Sequence, residues 1–182
     1  MIVTKSTNRE IHGERIYNAF KNGILTQDEL KDIDLEHDQH YETLNELLRG
    51  LKKSGVEFDQ VLREHAWPQE KYEIIFTVGG DGTLLHASSK LHHSQKIVPI
   101  RSSSKSVGFL CQLQKEEIQL AIQKIEDNQA KFMPIQRIQA LIQRVSSKNV
   151  ELSSPALNEI LFASNHPASI ARYQIHLSLI HI

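Results

Sequence analysis

The sequence predicts an α/β protein: a parallel sheet covered by helices over residues 1–128, then the beginning of an all-β second domain over residues 129–182. Three observations carry that expectation. Short apolar, β-branched runs at Ile2–Thr4, Ile74–Val78 and Lys96–Ile100 alternate with longer segments of helical spacing, the order that a parallel sheet requires. The middle run stops at Gly79-Gly80-Asp81-Gly82-Thr83, a glycine turn that leads into a helical pattern. From about Gln129 the pattern changes to short alternating apolar residues.

Taken in order, Ile2–Thr4 reads as a first strand, and Lys5–Arg9 as a polar turn at its carboxyl end, where ligands bind in such sheets. Lys5 there suits either a phosphate or plain solvation. Arg9 to Lys31 is a mixed helical pattern, and Ile33–Gln39 is acidic and turn-like. Leu44, Leu47, Leu48 and Leu51 recur at helical spacing, and Gly55 suits a C-terminal cap. Val56–Leu62 suits a strand, and Trp67-Pro68 breaks the chain before the central run. After the glycine turn, Leu84–Leu91 reads as a helix closed by His92 and His93. Arg101–Ser106 sets two cations among four hydroxyls after the next strand, as phosphate donors or as a solvated serine loop. Lys115–Asn128 is an amphipathic helix with Ile118, Ala121, Ile122 and Ile125 on one stripe. In the second part, Phe132–Val145, Ala156–Ala163 and Ile170–Ile182 read as β segments.

The glycine turn carries the first chemical signal. Glycines around an aspartate let backbone approach a bulky anion, because no Cβ intervenes. The helix start beyond offers unpaired N–H groups and a positive dipole end. A carboxylate in such a cradle repels phosphate unless a metal or a substrate hydroxyl lies between. Asp81 therefore reads as a magnesium contact or as a base for a hydroxyl, against the plainer alternative of a helix N-cap.

Composition narrows the classes. The 21 basic and 22 acidic residues nearly balance, giving a net charge of −1, without the basic excess of a nucleic-acid footprint. One cysteine, Cys111, excludes an internal disulfide and suits a reducing, cytoplasmic setting. The start lacks a signal-peptide pattern, and no apolar run approaches the ~20 residues of a membrane span. The histidines lack partners at zinc-ligand spacing.

A second signal lies in Ala156-Leu157-Asn158-Glu159. Two polar residues inside an apolar run need partners. A carboxylate accepts the adjacent hydroxyls of a ribose, and an amide both donates and accepts. The pair of motifs, with Val107-Gly108-Phe109-Leu110 between them, resembles the NAD kinase family from Ile2 to about Leu177. The glycine motif is shared with diacylglycerol and sphingosine kinases and, more distantly, phosphofructokinases; the lipid kinases lack the second motif.

The resemblance implies a Rossmann-like first domain and transfer of the γ-phosphoryl of ATP to the adenosine-ribose 2′-hydroxyl of NAD or NADH. Asp81 matches the catalytic aspartate, and Gly79, Gly80, Gly82 and Thr83 the phosphate loop. His86 matches a basic position near the dinucleotide, Asn158 and Glu159 the ribose contacts, and Arg172 another basic nucleotide contact. The implied partners are ATP, NAD(H) and Mg2+ or another divalent cation, with neither nucleic acid nor membrane, and family members tend to form homo-oligomers.

Two departures qualify the match. Ser102–Ser104 stand where many members carry a Gly-hydrophobic-Asn segment, which leaves NADH open as a substrate. Members also continue into further strands with a Thr-Gly-Ser-Thr-Ala-Tyr type motif, whereas this sequence stops at His181-Ile182. That implies an incomplete second domain, weak or no kinase activity, and exposed apolar β surface at Ile170, Ile175, Leu177 and Leu179. The alternatives are an inactive nucleotide-binding or dimerising fragment, and a lipid kinase.

Overall fold

A computed structural model describes residues 1–68, 71–105, 108–143 and 149–161. Its first part is a four-stranded parallel sheet of β1 (Ile2–Thr4), β2 (Gln60–Leu62), β3 (Ile74–Gly79) and β4 (Lys96–Arg101), in the order β2-β1-β3-β4. The helices are α1 (Asn8–Lys21), α2 (Gln27–Lys53), α3 (Asp81–Lys90) and α4 (Ile118–Glu126), the last entered through a 3-10 turn at Lys115–Glu117. An antiparallel pair follows, β5 (Leu141–Gln143) with β6 (Val150–Leu152), extended by a bridge between Ile138 and Ala156. The expected α/β class, a parallel sheet and then antiparallel structure, is what the chain adopts.

Strand alternation divides the core into two layers. Ile2, Phe76, Val78, Val98 and Ile100 point to one face and pack against Leu44, Leu47 and Leu51 of α2 and Ile118 and Ile122 of α4. Val3 and Ile75 point to the other and meet Trp67, Ala87 and Leu91 at α3. Central strands buried on both faces explain why β3 reads as an unbroken apolar run. Gly55, at φ +67°, follows the end of α2 and adopts the left-handed conformation its position demands.

Several elements differ from expectation. The acidic stretch Ile33–Gln39 is not a turn but the middle of α2, a 27-residue helix. Thr26 and Glu29 close a capping box at its start. Its polar residues are a helix face turned toward the loop after β1 and the start of α1, where Glu36 pairs with Lys5 at 3.1 Å and Asp34 with Arg9 at 3.3 Å. Lys5 is therefore a partly buried, ion-paired lysine. The strand expected at Val56–Leu62 shrinks to β2, and the helix expected from Leu84 begins at Asp81. Ala156–Ala163 is not a strand in its described part: only Ala156 pairs, with Ile138, in two 2.8 Å hydrogen bonds. The β segment expected at Ile170–Ile182, with Ile170, Ile175, Leu177 and Leu179, lies outside the described residues. Among those described, no helix is long and apolar enough to cross a membrane.

The polar face of α2 reaches inside. His40 is 1% exposed and shares a 3.0 Å hydrogen bond with the Thr4 hydroxyl. Next to it, His37 shares a 2.8 Å hydrogen bond with Thr7. Burial first, and then the Lys5 charge, lower the His40 pKa to about 4, while Glu10 and Glu36 oppose the shift.

Two outcomes follow from this packing. Leu47 is fully buried, so Leu47→Ala is expected to lower unfolding free energy by about 2–5 kcal/mol in urea titrations. For His40, the unfolded chain takes up a proton near its ordinary value of about 6.5, which the folded protein refuses until far lower pH. Stability then drains away as pH falls from about 6.5 toward 4. His40→Gln should cut the loss between pH 7 and pH 4.5 by about 2 kcal/mol. An equal loss in variant and wild type would assign the acid sensitivity to other groups.

Candidate functional site

The strand order creates the site's position. The chain passes from β1 out to β2 and returns across β1 to β3, so loops after β1 and β3 diverge at their carboxyl ends. The glycine turn leaves β3 at that point. A cavity of about 250 Å³ lined by Met1, Phe58, Tyr72, Ile74 and Ile122 lies instead at the amino ends, away from the turn.

Gly79 ends β3 under the head of α3. A Cβ there would lie 2.3 Å from the Thr83 hydroxyl oxygen and 2.8 Å from its Cβ, so the strand-to-helix approach requires glycine. Gly80 is the N-cap and gives no side-chain cap; its carbonyl accepts the Thr83 N–H at 2.9 Å. Asp81, weighed as an N-cap from sequence, is instead the first residue of α3. Gly82 is exposed, with space around the place a Cβ would take, Arg63 Nη1 being nearest at 3.8 Å. With the Thr83 N–H taken by Gly80, the N–H groups of Asp81 and Gly82 are the ones in this first turn without an intrahelical acceptor.

Asp81 does not cap its own helix. Its Oδ2 accepts the Phe109 N–H at 2.7 Å, and its Oδ1 accepts those of Leu110 at 3.0 Å and Cys111 at 3.1 Å. Burial pushes its pKa up, but these three donors, joined by the Cys111 thiol, outweigh burial and hold the carboxyl below its ordinary range. The thiol responds oppositely: burial, then the Asp81 charge, push Cys111 up to about 12. Cys111 is thus a buried, inert thiol, as a lone internal cysteine suggests.

At the glycine turn, in the loop after β4 and along α3, several buried polar atoms have no hydrogen-bond partner among the described residues. They include the hydroxyls of Thr83 and Ser102, and Nε2 of the half-buried His86 on α3. A buried hydroxyl without a partner costs about 1–3 kcal/mol, which a polar ligand can recover. The serine loop is buried in its first half and solvated beyond it: Ser102 and Ser103 are buried, with the Ser102 N–H donating to the Gly79 carbonyl at 3.1 Å, whereas Ser104 and Lys105 are exposed. Its cations are engaged as well, Lys105 with Asp32 and Arg101 with loop carbonyls.

The second motif stands apart. Asn158 and Glu159 are exposed on a bend beyond Ala156, and no hydrogen bond joins them to the glycine turn among the described residues. Their segment is anchored through Ile138, next to Arg137, whose Nη1 donates to the carbonyls of Ser88 at 2.5 Å and Leu91 at 2.9 Å at the far end of α3. Arg172 lies outside the described residues. Sequence reasoning passed over Arg63, a cation directly after β2 that comes to lie beside Gly82, and over the 109–111 N–H groups. The signal for Arg63 was its place at a strand's carboxyl end; for backbone donors no residue type gives one. No group of three or more histidine, cysteine, aspartate or glutamate side chains is placed to hold a metal among the described residues.

Comparison with known proteins converges on one family. A family model described as the ATP-NAD kinase N-terminal domain matches residues 18–130. A protein of Oryza sativa named "Probable NADH kinase" is 26% identical over 151 residues, 74% of this chain and 45% of its own length. A "Bifunctional NADP phosphatase/NAD kinase" of Methanocaldococcus jannaschii is 28% identical over 141 residues, 73% of this chain and 24% of its own. An "NAD kinase" of Methanosarcina mazei is 30% identical over 109 residues, 60% of this chain and 35% of its own. The chain thus spans less than half the length of each of these relatives. With its glycine turn at the carboxyl end of a central parallel strand inside the matched region, the chain belongs to the NAD kinase family.

Proposed function

We propose that the chain acts in the phosphorylation of NAD or NADH by ATP at the adenosine-ribose 2′-hydroxyl. What carries the reading is Asp81: an ionised carboxylate at the head of α3, held in place by the backbone of Phe109–Cys111, within the family-matched region. In the reaction the 2′-oxygen bonds to the γ-phosphorus and the bond from that phosphorus to the β-bridging oxygen breaks. ADP leaves, and the hydroxyl proton passes to the Asp81 carboxylate. A carboxylate below its ordinary pKa is a weak base, so its main role is to orient the hydroxyl, with proton transfer following as the new bond forms. Gly80, Gly82 and Thr83 form the phosphate turn, with the N–H groups of Asp81 and Gly82 as donors. His86 and Arg63 supply positive charge or donors beside them.

Asn158 and Glu159 would grip the ribose, and Arg172 would contact the nucleotide. The exposure of Asn158 and Glu159 leaves both accessible to a ligand. A divalent cation would arrive with ATP and offset phosphate charge there. A second reading, nucleotide binding without turnover, is favoured by that same exposure of Asn158 and Glu159. The lipid-kinase reading finds no support in the relatives' names.

Calorimetry with NAD and with ATP, beside an assay for NADP(H) formation on the same preparation, separates these readings. Binding with turnover supports the kinase, binding alone the second reading, and neither sinks both. If turnover is found, Asp81→Asn is expected to lower kcat by about 10²–10⁴-fold with a much smaller change in KM. An active Asp81→Asn protein would remove Asp81 from the reaction.

A further inference from the structure

Arg101 is the last residue of β4 and sits in register with Gly79 of β3. Its side chain does not enter the serine loop that follows it. Nε donates to the Cys111 carbonyl at 3.1 Å and Nη2 to the Gly108 carbonyl at 2.8 Å. Its own N–H donates to the Leu113 carbonyl at 2.8 Å, tying the far end of the same loop to β4. One planar guanidinium thus holds both ends of a four-residue loop.

Peptide planarity gives this grip a consequence. The Gly108 carbonyl and the Phe109 N–H belong to one trans peptide unit and point in opposite directions. Fixing the carbonyl on Arg101 aims that N–H away from Arg101, and there it meets Asp81 Oδ2 at 2.7 Å. The Leu110 and Cys111 N–H groups follow onto Oδ1. Gly108 fits because it is small: a Cβ would stand 3.3 Å from Asp81 Oδ1 and 3.4 Å from the Cys111 Cβ. Buried Cys111 anchors the end of the loop, but the Phe109 side chain, 89% exposed, adds little packing at its tip, where the hydrogen bonds do the holding.

We propose that Arg101 is a positioning residue for Asp81, acting through the carbonyls of Gly108 and Cys111 to set the N–H cradle that orients the carboxylate. The importance of that orientation rests on the role proposed for Asp81 above; the linkage itself does not. Its removal frees the loop, and the carboxylate then swings with its α3 rotamers.

Amide hydrogen exchange on the full chain tests the linkage without needing activity. In Arg101→Met, exchange at Phe109, Leu110 and Cys111 should quicken about tenfold or more, while Val78 and Ile100 in the sheet keep their protection. Arg101→Lys, able to reach one carbonyl, should restore part of it. Asp81→Asn should also quicken these amides, and the double variant should exceed the stronger single variant only slightly, because both residues act on one element. Unchanged exchange in Arg101→Met, or effects that simply add in the double variant, would overturn the proposal. If Arg101→Met fails to fold, Arg101→Lys, Asp81→Asn and their combination give the same comparison. Absent NADP formation by the wild type alongside this exchange pattern would count against the kinase reading and leave the linkage standing.

Discussion

The structure turns on one ionised side chain accepting three backbone N–H groups from another part of the chain. Charge-assisted bonds of this kind are the strong ones, and each would leave an unpaired N–H if lost. They also place negative charge in the first turn of α3, where the helix dipole favours it by about 0.3–1 kcal/mol. The adjacency of β3 and β4 makes the arrangement possible: it sets the glycine turn beside Arg101 and the Gly108–Cys111 loop beside both.

The rest of the fold keeps that corner available. Two apolar layers cover the faces of the sheet and leave the carboxyl ends of its strands to polar groups. From one side α2 sends in His40, Thr43 and Gln39: Thr43 donates to the Ser102 carbonyl at 3.3 Å, and Gln39 accepts the Ser104 N–H at 3.0 Å. Hydroxyls left unpartnered at Thr83 and Ser102 forgo stability where a ligand can restore it. The antiparallel pair has no comparable interior: Leu141, Val150 and Leu152 are all exposed.

How much of this was legible in the sequence follows from which forces are local. The strand at Ile74–Gly79 was readable because burial on both faces demands an apolar, β-branched run, and the turn because Gly79 meets Thr83 within one helical turn. The amphipathic stripe of α2 was readable at Leu44 to Leu51, but not at Ile33–Gln39. There the helix is held by a capping box and by charge pairs to Lys5 and Arg9, so it shows polar residues where periodicity seeks apolar ones. Asp81 was readable as the candidate reactive group, but its partners lie 28–30 residues away and are backbone donors, invisible to any reading of side chains. Ala156–Ala163 misled because apolar composition alone does not supply a neighbouring strand, and among its described residues only Ala156 has one.

Adding NAD to isotopically labelled chain and following its amide resonances tests most directly whether the glycine turn and the distant amide–acid pair serve one ligand. The account predicts that Gly80, Gly82, Thr83 and the Phe109–Cys111 amides shift together with Asn158 and Glu159, on one binding curve. Shifts confined to the amino-end cavity near Met1, Tyr72 and Ile122, with the glycine turn unmoved, would contradict it.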